Sequence, residues 1–218
     1  MNRRTLVVAT AAAAVALFAG GAAIYGGKTT PPTPAPSAAG DTLVRMHSPV
    51  MGPIAAPVTI VEFFDPSCEA CRAFYPIVKQ MMAQTGNDVR LVLRYTPLHQ
   101  GSDEAVRILE AARKQNRFQP VLEALLARQP EWAVHGAPDL DKAWEVAAAA
   151  GLDLIKAKQD AVSPAVDNIL AQDIADVRTN RIEQTPTFFV NGKPLSEFSP
   201  QGLYNLVKAE LDALKAGS

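Results

Sequence analysis

The chain has 218 residues, with 21 basic and 22 acidic side chains, so its formal net charge is −1 at pH 7. A charge this close to zero argues against nucleic acid or a strongly charged ligand as the partner. The region after residue 42 has about 175 residues, which is enough for one domain with its own hydrophobic core.

Residues 1–27 predict export from the cytoplasm. Arg3 and Arg4 precede an uncharged, Ala-rich stretch over residues 5–27 that contains small residues around positions 19–23. This pattern is typical of an export signal, and about 20 such residues are also enough to cross a bilayer. We therefore expect a cleaved signal or an uncleaved membrane anchor, with cleavage preferred. The rest of the chain is then periplasmic or otherwise extracytoplasmic, where disulfides persist.

Residues 28–42 predict a tether between this segment and a folded domain at residues 43–218. Most of the stretch is Pro-rich, uncharged and without periodicity, as in a semi-extended linker. No dimerisation module fits between the tether and the residues that follow, so we expect a monomer.

The folded region opens with a βαβ pattern. Residues 58–64 are almost continuously apolar and predict a central strand that is buried on both faces. Residues 70–84 have helical spacing, with a kink expected at Pro76. Residues 89–95 predict a second strand, parallel to the first.

A helical block and a second, smaller unit follow. Breaks at Pro, Gly and Asp divide the block into helices at residues 102–116, 119–127, 140–149, 152–161 and 165–180. The Asn-Gly pair at 191–192 predicts a hairpin between strands at 187–190 and 193–195. Ser199 and Pro200 then predict the start of a last helix, which runs to about residue 215.

Cys68 and Cys71, the only cysteines, open the helix that follows the first buried strand. The first turn of a helix carries unpaired N–H groups and a partial positive charge, which stabilise a thiolate on Cys68. Cys71 lies one turn further in and can form a disulfide with Cys68. The pair therefore predicts a thiol–disulfide oxidoreductase that exchanges two electrons with other thiols.

Two other roles for the cysteine pair compete with this one. A zinc or copper site needs further Cys or His ligands, but there is no third cysteine, and His47, His99 and His135 are isolated from one another. A purely structural disulfide would close a loop too short to constrain the unfolded chain much. We therefore predict no metal, and no cofactor besides the redox-active Cys68–Cys71 disulfide.

Three stretches resemble the DsbA-like branch of the thioredoxin superfamily. They are residues 48–52 with 56–64, the Cys-Glu-Ala-Cys motif at 68–71, and Gln-Thr-Pro-Thr-Phe-Phe-Val-Asn-Gly at 184–192. Each stretch is modest evidence, but their order, with a helical insertion between the last two, is specific. The resemblance implies an α/β thioredoxin fold with a helical insertion at about residues 101–181.

The resemblance also assigns roles to five residues. Cys68 matches the nucleophile that forms mixed disulfides, and Cys71 matches the resolving cysteine. Pro186 matches a cis-proline beside the disulfide, and Thr185 before it would pair its backbone with an extended client segment. Glu62 matches a buried acid that relays a proton to the resolving thiol. The alternatives are an ordinary trans proline and an edge-strand glutamate that faces water.

The dipeptide between the cysteines departs from the strongly oxidising members, which carry Pro-His there. In this chain it is Glu69-Ala70. The histidine is missing, and the Glu69 carboxylate lies close to Cys68. Both differences should raise the Cys68 pKa from about 3.5 toward about 7. We therefore predict a moderate oxidant with a reduction potential between about −120 and −270 mV.

The primary hypothesis is an exported oxidoreductase that donates disulfides to client proteins. Thr185 also occurs in isomerase-like relatives, so a disulfide reductase or isomerase of the same fold stays open. Two further alternatives are a copper-binding module and a chaperone without redox turnover. By resemblance, an oxidase would be re-oxidised by a quinone-linked membrane thiol oxidase, and a reductase would need a reducing partner.

Five other side chains have two interpretations each. His99, after the second strand, can be a plain loop histidine or lie at the rim of the active site, and the loop is the simpler choice. Trp132 and Trp144 are core or lid aromatics. Phe74 and Tyr75 are packing residues, with a contribution to an apolar client surface as the alternative.

Overall fold

The structure, a computed structural model, describes residues 40–216. The predicted export segment at residues 1–27 and most of the predicted tether at 28–42 lie outside these residues. Thr42 hydrogen-bonds Asn180 at 3.0 Å, and Leu43 is buried. The folded domain therefore begins slightly before residue 43. No helix within residues 40–216 combines the length and the apolar character needed to span a membrane.

The secondary structure follows the order βαβ, helical block, ββα, which confirms the predicted α/β class. In chain order the elements are α1 (Gly40–Leu43), β1 (Val50–Met51), β2 (Val58–Phe64), α2 (Glu69–Thr85), a 3₁₀ turn (Gly86–Asp88), β3 (Val89–Tyr95), α3 (Ser102–Lys114), α4 (Phe118–Ala127), α5 (Gln129–Trp132), α6 (Leu140–Ala149), α7 (Leu154–Ala161), α8 (Pro164–Thr179), β4 (Thr187–Val190), β5 (Lys193–Pro194) and α9 (Pro200–Ala216).

The described strands form one sheet in the order β1-β3-β2-β4-β5. β2 is parallel to β3 and antiparallel to β4, while β1 and β5 pair antiparallel at the two edges. β2 is thus central, as its apolar run predicts. Its residue Glu62 lies opposite Leu93 on β3 and Phe188 on β4.

The two faces of β2 contribute to different parts of the core. Ile60 and Phe64 pack in the large cluster that contains both cysteines, whereas Val61 and Phe63 pack in a smaller cluster on the other face. Side chains alternate along a strand, so Glu62 shares its face with Ile60 and Phe64. Glu62 therefore points to the side of the sheet that carries the cysteines.

The C-terminal unit has the predicted local structure. Asn191 and Gly192 have φ values of 47° and 81°, which suits the tight turn of a hairpin. The Ser199 hydroxyl accepts a hydrogen bond from the Gly202 N–H at 2.9 Å and so caps α9.

Helix α2 is continuous over 17 residues and contains Pro76 in its interior. Trp132 and Trp144 are both buried and belong to the core, and each indole N–H is satisfied, by the Leu125 carbonyl and the Glu104 carboxylate respectively. The interior of the helical insertion is therefore packed and forms part of the main hydrophobic cluster.

Candidate active site

The two cysteines lie where the loop after β2 enters α2. Cys68 is the N-cap residue of α2, and Cys71 is in its first turn. Both are free thiols, with Cys68 6% exposed and Cys71 0% exposed. The helix start thus leaves Cys68 slightly exposed and encloses Cys71 completely.

A second segment meets Cys68 from across the fold. The Cys68 sulfur lies 3.2 Å from the Thr185 carbonyl oxygen, to which the thiol donates when Cys68 is protonated. The Thr185–Pro186 peptide bond is cis, and Pro186 leads directly into β4. The three residues implied by the resemblance, Cys68, Thr185 and Pro186, are therefore in one place although 117 positions separate Cys68 from Thr185.

The surroundings of Cys68 favour its thiolate. Its pKa is lowered to about 5, first by the hydrogen bond from the Cys71 thiol, which outweighs partial burial. The Thr185 side chain and the backbone N–H groups of Cys71 and Ala70 lower it further. Those N–H groups are the unpaired donors of the helix start, as predicted. Cys68 is therefore ionised at neutral pH.

Cys71 has the opposite character. Burial, the Cys68 sulfur and the negative charge of Glu62 all raise the pKa of its thiol far above the ordinary range. The Asp65 backbone N–H, at 3.5 Å from the Cys71 sulfur, only partly opposes this. One sulfur is thus a thiolate while its neighbour keeps its proton.

Glu62 is fully buried beneath the pair, as the resemblance implies. Burial, followed by the negative charge of Cys68, raises its pKa to about 8. Neither carboxyl oxygen has a hydrogen-bond partner among residues 40–216. The group is therefore protonated at pH 7, and it couples electrically to both cysteines.

Asp65 organises the loop that carries Cys68, a role that the sequence did not suggest. It is fully buried and accepts five hydrogen bonds. One oxygen binds the Ser67 N–H and the Ser102 hydroxyl at 2.8 and 2.6 Å. The other binds the N–H groups of Leu98 and His99 and the His99 ring. The only hint in the sequence is an aspartate directly after a buried strand.

Gln129, from the short helix α5, supports the same loop from the insertion. Its side-chain amide donates to the carbonyls of Pro66 and Cys68 at 2.8 and 3.0 Å. The residue is 2% exposed. No sequence pattern marks it, because its partners are backbone atoms more than 60 positions away.

The expected effect of Glu69 on Cys68 is not found. Glu69 Oε1 lies 2.8 Å from His135 Nε2, and Glu69 is not among the groups that shift the Cys68 pKa. The backbone N–H of Glu69, together with His135 and His99, lowers the pKa of the Glu69 carboxyl. The Cys68 pKa of about 5 lies between the values of about 3.5 and about 7 that the prediction spans, but Glu69 does not contribute to it.

The histidines are not isolated from one another, so that prediction is wrong for two of them. The rings of His99 and His135 are edge to face, with centroids 5.4 Å apart. Together with Ser67 and Val134 they line a cavity of about 70 Å³. The interpretation of His99 as a plain loop histidine is also wrong. Burial lowers its pKa, but the Asp65 carboxylate, aided by Cys68 and Glu69, outweighs this and raises it.

Phe74 and Tyr75 are packing residues. Both are buried, and the Phe74 ring lies 5.3 Å from Phe188 and 5.0 Å from Phe198 between centroids. Leu98, beside His99, and Val134, beside His135, are each 50% exposed. The exposed apolar surface next to the site therefore comes from these loops rather than from α2.

Comparisons with known proteins agree with this geometry. A sequence model of the family described as Thioredoxin matches residues 45–209. A thioredoxin-like oxidoreductase from Silicibacter pomeroyi DSS-3 is 28% identical, with a TM-score of 0.67, over 82% of this chain and 98% of that one.

Two further solved structures show the same fold at lower identity. Oxidised BdbD from Bacillus subtilis is 24% identical, with a TM-score of 0.67, over 76% of this chain and 93% of that one. Wolbachia pipientis alpha-DsbA1 is 18% identical, with a TM-score of 0.69, over 81% of this chain and 97% of that one. The fold is therefore that of DsbA-like thiol–disulfide oxidoreductases, as the resemblance implies.

The curated relatives are longer proteins that are named as Na(+)/H(+) antiporters. The Na(+)/H(+) antiporter NhaA of Herminiimonas arsenicoxydans is 33% identical over 171 residues, which are 78% of this chain and 26% of that protein. An antiporter NhaA 1 from Mycobacterium sp. (strain KMS) is 32% identical over 169 residues, 72% of this chain and 26% of the relative. The chain thus spans about a quarter of these relatives.

Proposed function

We propose a function from the premise that this chain belongs to the thioredoxin family, whose sequence model matches residues 45–209. The activity is thiol–disulfide exchange with the cysteines of client proteins, through Cys68 and Cys71. The observation that carries the proposal is the contrast between the two sulfurs. Cys68 is ionised and slightly exposed beside Thr185, whereas Cys71 is fully buried and protonated.

Disulfide donation would proceed in two exchange steps. A client thiolate attacks the Cys68 sulfur of the oxidised chain, which forms a mixed disulfide and releases Cys71 as a thiolate. A second client thiolate then attacks the client sulfur of the mixed disulfide. This step releases Cys68 as a thiolate and leaves the client with a disulfide, so two electrons pass to the chain.

Glu62 would supply the proton that Cys71 needs. The released Cys71 thiolate is fully buried, and its protonated form is strongly favoured there. Glu62 holds a proton at pH 7 because its pKa is about 8. Transfer of that proton to Cys71, directly or through water, moves the negative charge from the Cys71 sulfur to the Glu62 carboxylate. The transfer is favourable because Glu62 has the lower pKa of the two groups.

Thr185 is the proposed docking point for the client backbone. Its carbonyl already contacts the Cys68 sulfur, and the segment continues into β4. An extended client peptide could add to this segment in β fashion and so place its cysteine against Cys68. Leu98 and Val134, both half-exposed, would offer apolar contacts to the client side chains.

The most direct test of the proposed activity is a pair of serine variants. We expect Cys71→Ser to accumulate mixed disulfides with a model peptide that carries a disulfide. The Cys68 thiolate attacks the peptide disulfide and releases a peptide thiolate, and no Cys71 sulfur is present to resolve the adduct. We expect Cys68→Ser to form none and to lose at least about a hundredfold in peptide oxidation rate. Equal loss in both variants without any trapped adduct would contradict the assignment of Cys68 as the nucleophile.

We further propose that the chain is a moderate oxidant. A low Cys68 pKa stabilises the dithiol form and makes the disulfide a better oxidant. A pKa of about 5 lies between the extremes of about 3.5 and 7 known for such cysteines. Redox titration against glutathione should give a potential between about −120 and −270 mV. A value at about −120 mV would contradict the moderate assignment.

The proposed location is extracytoplasmic, with the chain either released or tethered by residues 5–27. A quinone-linked membrane thiol oxidase is the proposed re-oxidant. The redox state of the pair in cells, trapped by acid quench and alkylation, tests the direction of electron flow. We expect mostly disulfide, and mostly dithiol would instead indicate the reductase or isomerase alternative.

A further inference from the structure

We propose that Glu69, His99 and His135 form a binding site for a divalent transition metal ion, with Zn²⁺ as the test ion, at the rim of the active site. Their ligand atoms all lie within 4.8 Å of one another. Two imidazoles and one carboxylate form a ligand set that suits zinc and its neighbours. The three residues come from separate places, which are the start of α2, the loop after β3 and the loop after α5.

The hydrogen bonding of His99 prepares one of its nitrogens for a metal. Asp65 is buried and accepts five hydrogen bonds, so it acts only as an acceptor toward the His99 ring. The Nδ1–H of His99 therefore donates to Asp65 Oδ2, at 2.7 Å. In the neutral ring the Nε2 lone pair is then available. A carboxylate behind a metal-binding histidine is the usual arrangement in zinc proteins.

The other two ligands can adjust to a metal. Side chains of Glu69 and His135 are 54% and 63% exposed, and that of His99 is 30% exposed. Ligand atoms around a tetrahedral zinc are about 3.4 Å apart, so separations within 4.8 Å need to close by about 1.4 Å at most. The Glu69–His135 pair, at 2.8 Å, needs to widen slightly. The partly exposed side chains allow this movement, and the exposure gives the ion a path of entry. Three protein ligands leave the fourth position to water.

The site differs from a metal site formed by the cysteines. Cys71 is buried and holds its proton, which makes it a poor ligand. The rim ligands contain no sulfur, so they bind in the oxidised chain as well as in the reduced one. A metal ion bound to Glu69 would place a positive charge one residue from Cys68. The bound ion would thereby regulate the exchange reaction.

The experiment uses the oxidised chain, in which both sulfurs are held in the disulfide and cannot bind the ion. Zn²⁺ affinity is measured by competition with a chromophoric chelator, and we expect one ion for each chain. Glu69→Gln and His135→Ala should each weaken binding by at least about tenfold. His47→Gln is the matched control, because His47 is paired with Asp173 and lies outside the cluster.

The outcomes separate the proposal from its alternatives. Unchanged affinity in His135→Ala, or equal losses in His135→Ala and His47→Gln, would overturn it. Absence of saturable binding to the oxidised chain would do the same. Thermal unfolding of every variant shows whether a loss reflects misfolding, and paired shifts of the His99 and His135 ring resonances with Zn²⁺ provide a second readout. None of these measurements depends on disulfide exchange, so a failure here leaves the proposed function intact.

Discussion

Cys68 and Cys71 are three positions apart, yet the fold gives them opposite protonation states. Cys68 sits at the N-cap, where backbone N–H groups and the Cys71 thiol act on its sulfur. Cys71 is turned into the core above Glu62, where burial raises the pKa of its thiol and keeps it protonated. The sequence predicts this contrast because a Cys-x-x-Cys pair at a helix start places the first residue outside and the second inside.

Glu62 should make the stability of the fold depend on pH. Its folded pKa of about 8 is above its unfolded value of 4.5, so the folded state binds the proton more tightly. The contribution of Glu62 to the free energy of unfolding is therefore fully present below about pH 4.5 and is lost as the pH rises toward 8. Glu62→Gln cannot titrate, so we expect it to lack this decline.

The measurement is urea unfolding of the oxidised chain and of oxidised Glu62→Gln at pH 5 and pH 7.5. The disulfide removes thiol titration from the comparison. Burial, the larger cause of the raised Glu62 pKa, also acts in the oxidised chain. The wild-type chain should therefore lose up to about 3 kcal/mol more than the variant between these pH values. Parallel pH profiles would show that Glu62 titrates as an ordinary exposed carboxyl.

At the scale of elements, the insertion does more than cover the sheet. The short helix α5 supplies Gln129, which holds the carbonyls of Pro66 and Cys68. The loop after α5 supplies His135, which pairs with Glu69. The insertion therefore contacts both sides of the Cys-Glu-Ala-Cys motif and fixes the loop that presents it.

Gln129→Ala should therefore destabilise the chain. Two buried carbonyls would lose a donor, which costs about 1 to 3 kcal/mol. Gln119→Ala is the matched control, because Gln119 bonds Glu123 on an exposed surface and should change stability by less than about 0.5 kcal/mol. Denaturant unfolding of the two variants checks this, and equal stabilities would mean that Gln129 does not support the loop.

The elements that the sequence predicts best are those with a long, uniform pattern. The strands Val58–Phe64, Val89–Tyr95 and Thr187–Val190 have the bounds predicted for them. β1, α1 and α5 have only two to four residues, too few to show a period, and were not predicted. The roles of Asp65, Gln129 and His135 depend on contacts with segments that are distant in the sequence, so no local pattern reveals them.

At the scale of the whole molecule, a buried ionic cluster fastens the sheet to the helical block and to the start of the domain. Arg94 on β3 is fully buried and donates to Asp173 and Asp176 on α8. It also donates to the backbone carbonyls of Thr42 and Leu43. The cluster lies on the side of the sheet where Val61, Phe63 and Leu43 pack.

Replacement of Arg94 should destabilise the chain more than loss of any surface arginine. Arg94→Met leaves two buried carboxylates short of a partner, which we expect to cost about 3 to 5 kcal/mol. Arg90→Met is the control, because Arg90 on the same strand donates to the Thr59 hydroxyl and the Ile54 carbonyl, near the surface. Its loss should cost about 1 kcal/mol. Similar midpoints of urea unfolding for the two variants would contradict this account of the cluster.

The proposed exchange reaction requires that the fold hold Cys68 as a thiolate and Cys71 as a protonated thiol. The measurement that tests it most directly is the pH dependence of iodoacetamide labelling of the reduced chain, with EDTA present and each cysteine quantified by mass spectrometry. We predict that Cys68 labelling is half-maximal near pH 5 and that Cys71 stays unlabelled up to pH 9. Labelling of both cysteines with a midpoint at about 8.5, as for free cysteine, would contradict the claim.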